Sequence, residues 1–215
     1  MLLGTGFELG YCFLALAPLD ALRLPRWRRL ARVLLAGWPF AMLAACASAP
    51  LATYDLMPAG GGFAARAGQG QLAVLRPEAT LPANSDRIVV RSDPQSVAYL
   101  TGAQWADTLP SLVQSRLIES FQNAHLLRAV GRPGMLADYS LQTSIRRFEL
   151  DATRGEAAVE IAAQIIAPSG RITAGRLFTD TVPVASSDPS TVAAALDAAL
   201  AQVMRDIVLW TAPKI

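Results

Sequence analysis

The second half of the chain alternates apolar and polar residues and predicts three consecutive strands. Apolar residues take every second position over residues 139–150, and a change of phase near Arg147 predicts a β-bulge. The alternation resumes over residues 159–165 and again over residues 172–184, with a proline- and glycine-containing turn at 168–171 between them. This pattern is typical of a meander of antiparallel strands.

Two other segments have apolar residues at helical spacing. Residues 105–123 place apolar side chains on one face, and Pro110 falls in the first turn, where its missing N–H costs nothing. The second helix is predicted from the cap signal Ser187-Asp188-Pro189 to Trp210.

Short apolar runs bounded by prolines and glycines predict further strands near the start of the folded region, at residues 53–56, 72–75 and 88–91. The element order is therefore strands, helix, three-strand meander, carboxyl-terminal helix. Such an order favours a two-layer α+β fold, in which two main helices pack on one face of a mixed or antiparallel sheet. We expect residues 53–215 to form a single domain.

The first 45 residues have the order of an export leader. Five arginines at positions 23–32 precede an apolar run at 33–42, which is shorter than the roughly 20 residues needed to span a bilayer. We interpret residues 23–45 as a lipoprotein signal peptide and 46–52 as a lipidated tether. Residues 1–22, a second apolar stretch, are interpreted as an over-extended start.

The segment Leu43-Ala44-Ala45-Cys46 resembles a bacterial lipobox. The resemblance implies that diacylglycerol is attached to the Cys46 thiol, that the chain is cleaved before it, and that the new amino terminus is acylated. Two or three acyl chains anchor a protein stably, because each buried methylene contributes about 0.8 kcal/mol. Ala47 stands where an aspartate would indicate inner-membrane retention, so the resemblance favours the periplasmic face of the outer membrane.

Composition argues against several kinds of chemistry. From Cys46 onward there are 14 Lys and Arg against 15 Asp and Glu, without a basic run, so nucleic acid is not an expected partner. Cys12 and Cys46 are the only cysteines and His125 the only histidine, which leaves no cysteine-based or two-histidine metal site.

No catalytic, cofactor-binding or metal-binding residues are predicted. The glycine run at residues 60–62 lacks the lysine of a phosphate loop, and a Gly-x-Ser-x-Gly elbow does not occur. His125 is interpreted as a helix-capping or surface residue. The acidic residues near the first meander turn are interpreted as solvated charges and not as a catalytic pair; they are Glu149, Asp151, Glu156 and Glu160.

Several short segments, taken in order behind the lipobox, resemble the ABC-type transport auxiliary lipoproteins, the family that includes paraquat-inducible protein C. The segments are Tyr54-Asp55-Leu56, Asp86-Arg87-Ile88-Val89-Val90-Arg91, Val97-Ala98-Tyr99-Leu100, Gln104-Trp105-Ala106-Asp107, Asp138-Tyr139-Ser140-Leu141, Arg147-Phe148-Glu149 and Gly175-Arg176-Leu177-Phe178.

The resemblance implies a non-enzymatic accessory of a system that moves phospholipid between the inner and outer membranes. Its expected partners are a periplasmic mammalian-cell-entry (MCE) domain protein and an ABC permease with its ATPase, and a homo-oligomer remains open. Tyr99 and Trp105 are the candidates for partner contact, with core packing as the alternative. Two functions stay open: protein docking at the membrane, or a carrier that holds an acyl chain in its own apolar pocket, which would make phospholipid a partner.

Overall fold

The structure is a computed structural model that describes residues 50–215, so the predicted leader and Cys46 lie outside the described residues. Within these residues nine strands and two α-helices follow one another. In order they are β1 (Ala52–Tyr54), β2 (Gln71–Val74), β3 (Glu78–Ala79), β4 (Arg87–Arg91), β5 (Val97–Trp105), α1 (Leu109–Ala124), β6 (Ala129–Gly131), β7 (Tyr139–Asp151), β8 (Glu156–Ile166), β9 (Ile172–Pro183) and α2 (Pro189–Thr211).

Strand β7 is the centre of a single mixed sheet. On one side it pairs along its whole length with antiparallel β8, which pairs in turn with antiparallel β9, so the predicted meander is confirmed. On its other side β7 pairs in succession with β2, β3 and β4, all parallel to it. Antiparallel β5 extends the sheet from β4, β1 pairs with β5, and β6 pairs with β2.

The predicted bulge in β7 is confirmed, because the register with β8 shifts between Ile145 and Arg147. An extra residue at this point reverses which side chains face which side of the sheet. Leu141 and Ile145 before the bulge, and Phe148 and Leu150 after it, can therefore all join one buried core.

Both helices pack on this apolar side, which gives the two-layer α+β fold predicted from the element order. Helix α2 contacts mainly β8 and β9, and α1 lies beside it. The Gln114 Nε2 donates to the carbonyl of Val74 at 2.9 Å and fastens α1 to β2. Buried Ser120 accepts a hydrogen bond from the Ala59 N–H at 2.8 Å, which fastens the loop after β1 to the same helix.

The helix ends follow the sequence signals, with one correction. Pro189 opens α2 directly after Asp188, as predicted, and His125 ends α1 in the left-handed conformation at φ 51°. The predicted start of α1 at Trp105 is wrong, because Trp105 is the last residue of β5 and the helix begins at Leu109. Sheet-like hydrogen bonding continues to that point, since the Trp105 N–H donates to the Asp86 carbonyl at 2.7 Å.

The opposite side of the sheet, called here the open face, is not covered by a helix within residues 50–215. Residues directly paired across neighbouring strands point to the same side of a sheet. Val89 is paired with both Tyr99 and Glu149, and Arg91 with both Val97 and Asp151. These side chains therefore lie together on the open face.

Candidate functional site

Tyr99 presents an aromatic ring on the open face. Tyr99 is 41% exposed, and Val97, two residues earlier on β5, is 40% exposed. The Arg87 guanidinium lies 5.0 Å from the centre of the Tyr99 ring. A cation over the face of an aromatic ring stabilises its position. We call these three residues, Arg87, Val97 and Tyr99, the β4–β5 patch.

Beside this patch lies a charged cleft of about 440 Å³. Within this cleft the Glu149 side chain is only 4% exposed. The same oxygen, Oε1, accepts hydrogen bonds from Arg91 Nε at 2.8 Å and from Arg147 Nε at 3.1 Å. The cleft is lined by Arg91, Asp93, Pro94, Arg147, Glu149, Asp151, Thr153 and Arg154.

Asp151 organises the turn that joins β7 to β8. Its Oδ1 accepts the backbone N–H groups of Thr153 and Arg154, both at 3.1 Å, and its Oδ2 lies 3.4 Å from Arg147 Nη2. The Thr153 hydroxyl donates to the carbonyl of Ser92 at 2.9 Å, so the β7–β8 turn is connected to the β4–β5 turn. The cleft is thus built from two hairpins held to each other.

The charges of the cleft are matched one to one, three arginines against three carboxylates. The hydrogen bond to Glu149 raises the pKa of Arg91. Hydrogen bonds from Ser96 and Gln95 lower the pKa of exposed Asp93, so its carboxylate is ionised well below neutral pH. The cleft therefore presents charged hydrogen-bonding groups in fixed positions, and their charges sum to zero.

The interpretation of Glu149 and Asp151 as solvated charges is wrong, because both are buried. They are buried together with arginine partners, one of which, Arg91, is 58 residues away in the sequence. A sequence signal for this face does exist. Arg87, Val89 and Arg91 alternate with Ile88 and Val90 on β4, which places two arginines on the side away from the core.

The structure separates the two residues predicted for partner contact. Trp105 is 2% exposed and its ring packs edge-on against Phe148 at 5.8 Å between ring centres, so it belongs to the core. Burial also leaves its indole Nε1 without a hydrogen-bond partner among the described residues. Tyr99 is accessible on the open face. Trp210 packs edge-on against Phe178 at 5.5 Å.

His125 does not join a hydrolase-like arrangement. It is an exposed helix-capping residue whose N–H donates to the Gln122 carbonyl at 3.2 Å. Within residues 50–215, groups of three or more His, Cys, Asp or Glu side chains that could hold a metal ion do not occur. In the same part of the chain, no helix combines the length and apolar character needed to cross a membrane.

Solved structures of other proteins share this fold. Protein XCC0632 from Xanthomonas campestris superposes with a TM-score of 0.69 at 32% identity, over 75% of this chain and 95% of that chain. A second, uncharacterized protein of known crystal structure superposes with a TM-score of 0.63 over 76% of this chain and 99% of its own; at 13% identity it shows likeness of fold alone.

The sequence assigns the family. Residues 54–208 match the family described as the ABC-type transport auxiliary lipoprotein component, and the chain belongs to that family. By its description, this family is one of transport auxiliary components and not a family of enzymes. The uncharacterized protein bll6063 of Bradyrhizobium diazoefficiens is 37% identical over 167 residues, and the match covers 74% of this chain but only 44% of that protein's length.

Proposed function

We propose that the protein is an outer-membrane lipoprotein, anchored through Cys46, that docks the periplasmic MCE component of an ABC-type phospholipid transport system. The β4–β5 patch and the neighbouring charged cleft form the docking surface. The observation that carries this proposal is the accessible Tyr99 ring, held by Arg87 beside a cleft of ordered arginines and carboxylates.

A docking surface gains most of its affinity from a few ordered aromatic and arginine side chains. Groups that are already fixed before binding lose little conformational freedom when a partner arrives. Tyr99 is fixed by Arg87, and the cleft arginines Arg91 and Arg147 are fixed by Glu149. Matched charges of both signs at one geometry favour a protein partner of complementary pattern and select its orientation.

The alternative, a carrier that encloses an acyl chain, requires an apolar pocket of some hundreds of Å³. The space between the sheet and the helices is instead occupied by large, fully buried side chains such as Phe121, Leu141, Ile161 and Leu196. The charged cleft opens on the other side of the sheet, and six of its eight lining residues carry a charge. These features favour docking over enclosure of lipid.

The anchor and the docking surface are close in the sequence. Strand β1 begins at Ala52, six residues after Cys46, and an extended segment of that length reaches about 20 Å. Ala52 pairs with Ala103 on β5, the strand that carries Tyr99. The tether would therefore keep the β4–β5 patch close to the bilayer surface, where it can meet a periplasmic assembly that reaches the outer membrane.

The test is affinity purification of the full-length lipidated protein from cell envelopes, with quantification of co-purified MCE and permease subunits. Tyr99→Ala should lower their recovery roughly 30-fold, the effect of losing a hot spot of about 2 kcal/mol. Leu136→Ala is the matched control, because Leu136 is apolar and 93% exposed but lies in the loop before β7. Recovery without any MCE or permease subunit, or equal recovery with Tyr99→Ala, would overturn the proposal.

The anchoring step is tested separately. Mass spectrometry of the mature protein should find acyl chains on Cys46, and Cys46→Ser should move the protein from the membrane fraction to the soluble periplasmic fraction. Sedimentation of Cys46→Ser with the outer membrane as before would contradict the lipid anchor.

A further inference from the structure

Strand β9 is an edge of the sheet, since it pairs only with β8 among the described residues. It is twelve residues long, which is long for an edge strand. An uncovered edge carries a row of backbone N–H and C=O groups that are ready to pair with another strand. Leu177, near the middle of β9, is also 44% exposed.

The register of β9 shows which backbone groups face outward. The Val184 N–H donates to the Gly155 carbonyl at 2.8 Å, so these two residues form a hydrogen-bonded pair directly beyond the β8–β9 ladder. Pairing continues without a shift from there to Ala174. Because hydrogen-bonded and non-hydrogen-bonded pairs alternate, the even-numbered residues direct their N–H and C=O groups to β8. The outward-facing residues are Gly175, Leu177, Thr179 and Thr181.

The charges on β9 are arranged symmetrically about Phe178. Arg176 precedes it by two residues and Asp180 follows it by two, so all three side chains lie on the same side of the sheet. Within residues 50–215 neither charged side chain forms an ion pair, and the contact of Arg176 is with the Phe178 ring, 5.1 Å away. Arg176 is exposed and Asp180 is half-buried.

A second β9, placed antiparallel with a two-fold axis at Phe178, pairs both the outward-facing backbone groups and the two charged side chains. The outward-facing Leu177 then lies opposite Thr179 of the other copy, and each can donate and accept a hydrogen bond. The same register places the Arg176 side chain opposite Asp180 of the other copy. The two-fold symmetry generates a second, identical ion pair. Directly opposed side chains of unlike charge stabilise a strand pair.

Other registers lose this match. An axis two residues earlier places Arg176 opposite its own copy, and an axis two residues later does the same to Asp180, so that like charges meet. An axis at Leu177 or at Thr179 leaves neither ion pair. An axis between two residues would oppose an outward-facing residue to an inward-facing one, which the antiparallel ladder does not allow.

We propose that β9 is an interface for a second copy of this chain, which joins the two sheets edge to edge in antiparallel register about Phe178. This surface is separate from the β4–β5 patch. Strand β9 pairs with the side of β8 that faces away from β7, and it lies four strands from β5. Dimer formation and docking of a transport partner can therefore be tested independently.

The test is sedimentation of the full-length lipidated protein in detergent micelles over a range of concentrations, with single and double charge exchanges. Arg176→Asp gives two Asp–Asp contacts and Asp180→Arg gives two Arg–Arg contacts. Each single variant should weaken the dimer at least tenfold, whereas the double variant R176D/D180R should restore it because both ion pairs re-form with reversed direction. Arg171→Asp makes the same charge change in the turn before β9 and should leave the dimer unchanged.

A second measurement reads the register directly. In the variant L177C/T179C the thiol at position 177 lies opposite the thiol at position 179 of the other copy. Mild oxidation should therefore give a disulfide-linked dimer on non-reducing gels. This variant does not depend on the charged residues. A wild-type protein that stays monomeric, an assembly that ignores both single exchanges, or a double variant that does not recover would each overturn the proposal.

Discussion

Glu149 offers the most direct test of how the charged cleft is held together. Its side chain is 4% exposed, and one carboxylate oxygen accepts hydrogen bonds from Arg91 and Arg147. Glu149→Gln keeps the size and shape of the side chain but removes the charge and replaces one oxygen by an amino group. Two guanidinium groups then remain close together without the anion between them.

The magnitude follows from the burial of the three groups. Removing one partner of a fully buried ion pair costs about 3 to 5 kcal/mol. The arginine side chains here are 31% and 32% exposed, so water can partly replace the lost carboxylate. We therefore expect a decrease of about 2 to 3 kcal/mol in the free energy of unfolding, which is below the fully buried range and above the roughly 1 kcal/mol of an exposed pair.

The assay is equilibrium unfolding in urea or guanidinium, with a thermal scan in parallel. For a domain of this size the expected decrease in Tm is roughly 5 to 10 °C. Glu156→Gln is the matched control, because Glu156 lies 3.6 Å from Arg154, whose side chain is 67% exposed, and should cost less than about 0.5 kcal/mol. If both variants changed stability equally little, the argument that Glu149 orders the cleft would be refuted.

Three further predictions concern the core, the chain ends and pH. Ser120→Ala leaves the buried Ala59 N–H without its acceptor and should cost about 1 to 3 kcal/mol in urea unfolding; an unchanged midpoint would contradict this contact. Gly68→Ala drives a methyl group into the backbone carbonyls at the carboxyl end and should destabilise by about 2 kcal/mol, whereas Gly60→Ala, where space is open, should have little effect. Burial raises the pKa of Asp197, so the folded state gains stability as pH falls through that raised pKa; Asp197→Asn should raise Tm at pH 7 and abolish this gain in a pH series of thermal scans.

The sequence was most informative where one residue period persisted over a long element. Strands β7 to β9 and helix α2 were predicted with nearly correct ends, and the phase change in the pattern located the bulge at Arg147. Strand β5 was missed because its pattern is interrupted at Gly102, whose φ of 77° marks an irregular stretch where the register with β4 changes. Trp105 was therefore assigned to the helix that follows.

The charged cleft was beyond the reach of local patterns. Charged residues near a turn are usually solvated, and nothing within a few positions of Glu149 shows that Arg91 will be its partner. That pairing exists because β4 lies parallel to the end of β7, a neighbour relation that sequence periodicity does not encode. Tyr99 was identified from its residue type, and its exposure follows from the position of β5 on the open face.

The central position of β7 has a consequence for how the chain folds. Strands β2 and β4 each pair with β7 on one of their two sides, yet Leu72 meets Tyr139 and Val89 meets Glu149 only after some 60 intervening residues have been made. Contacts between such distant positions slow folding. A chain emerging from its amino terminus thus leaves one edge of β2 and one edge of β4 unpaired until β7 follows, and fragments ending before Tyr139 should not form the complete sheet.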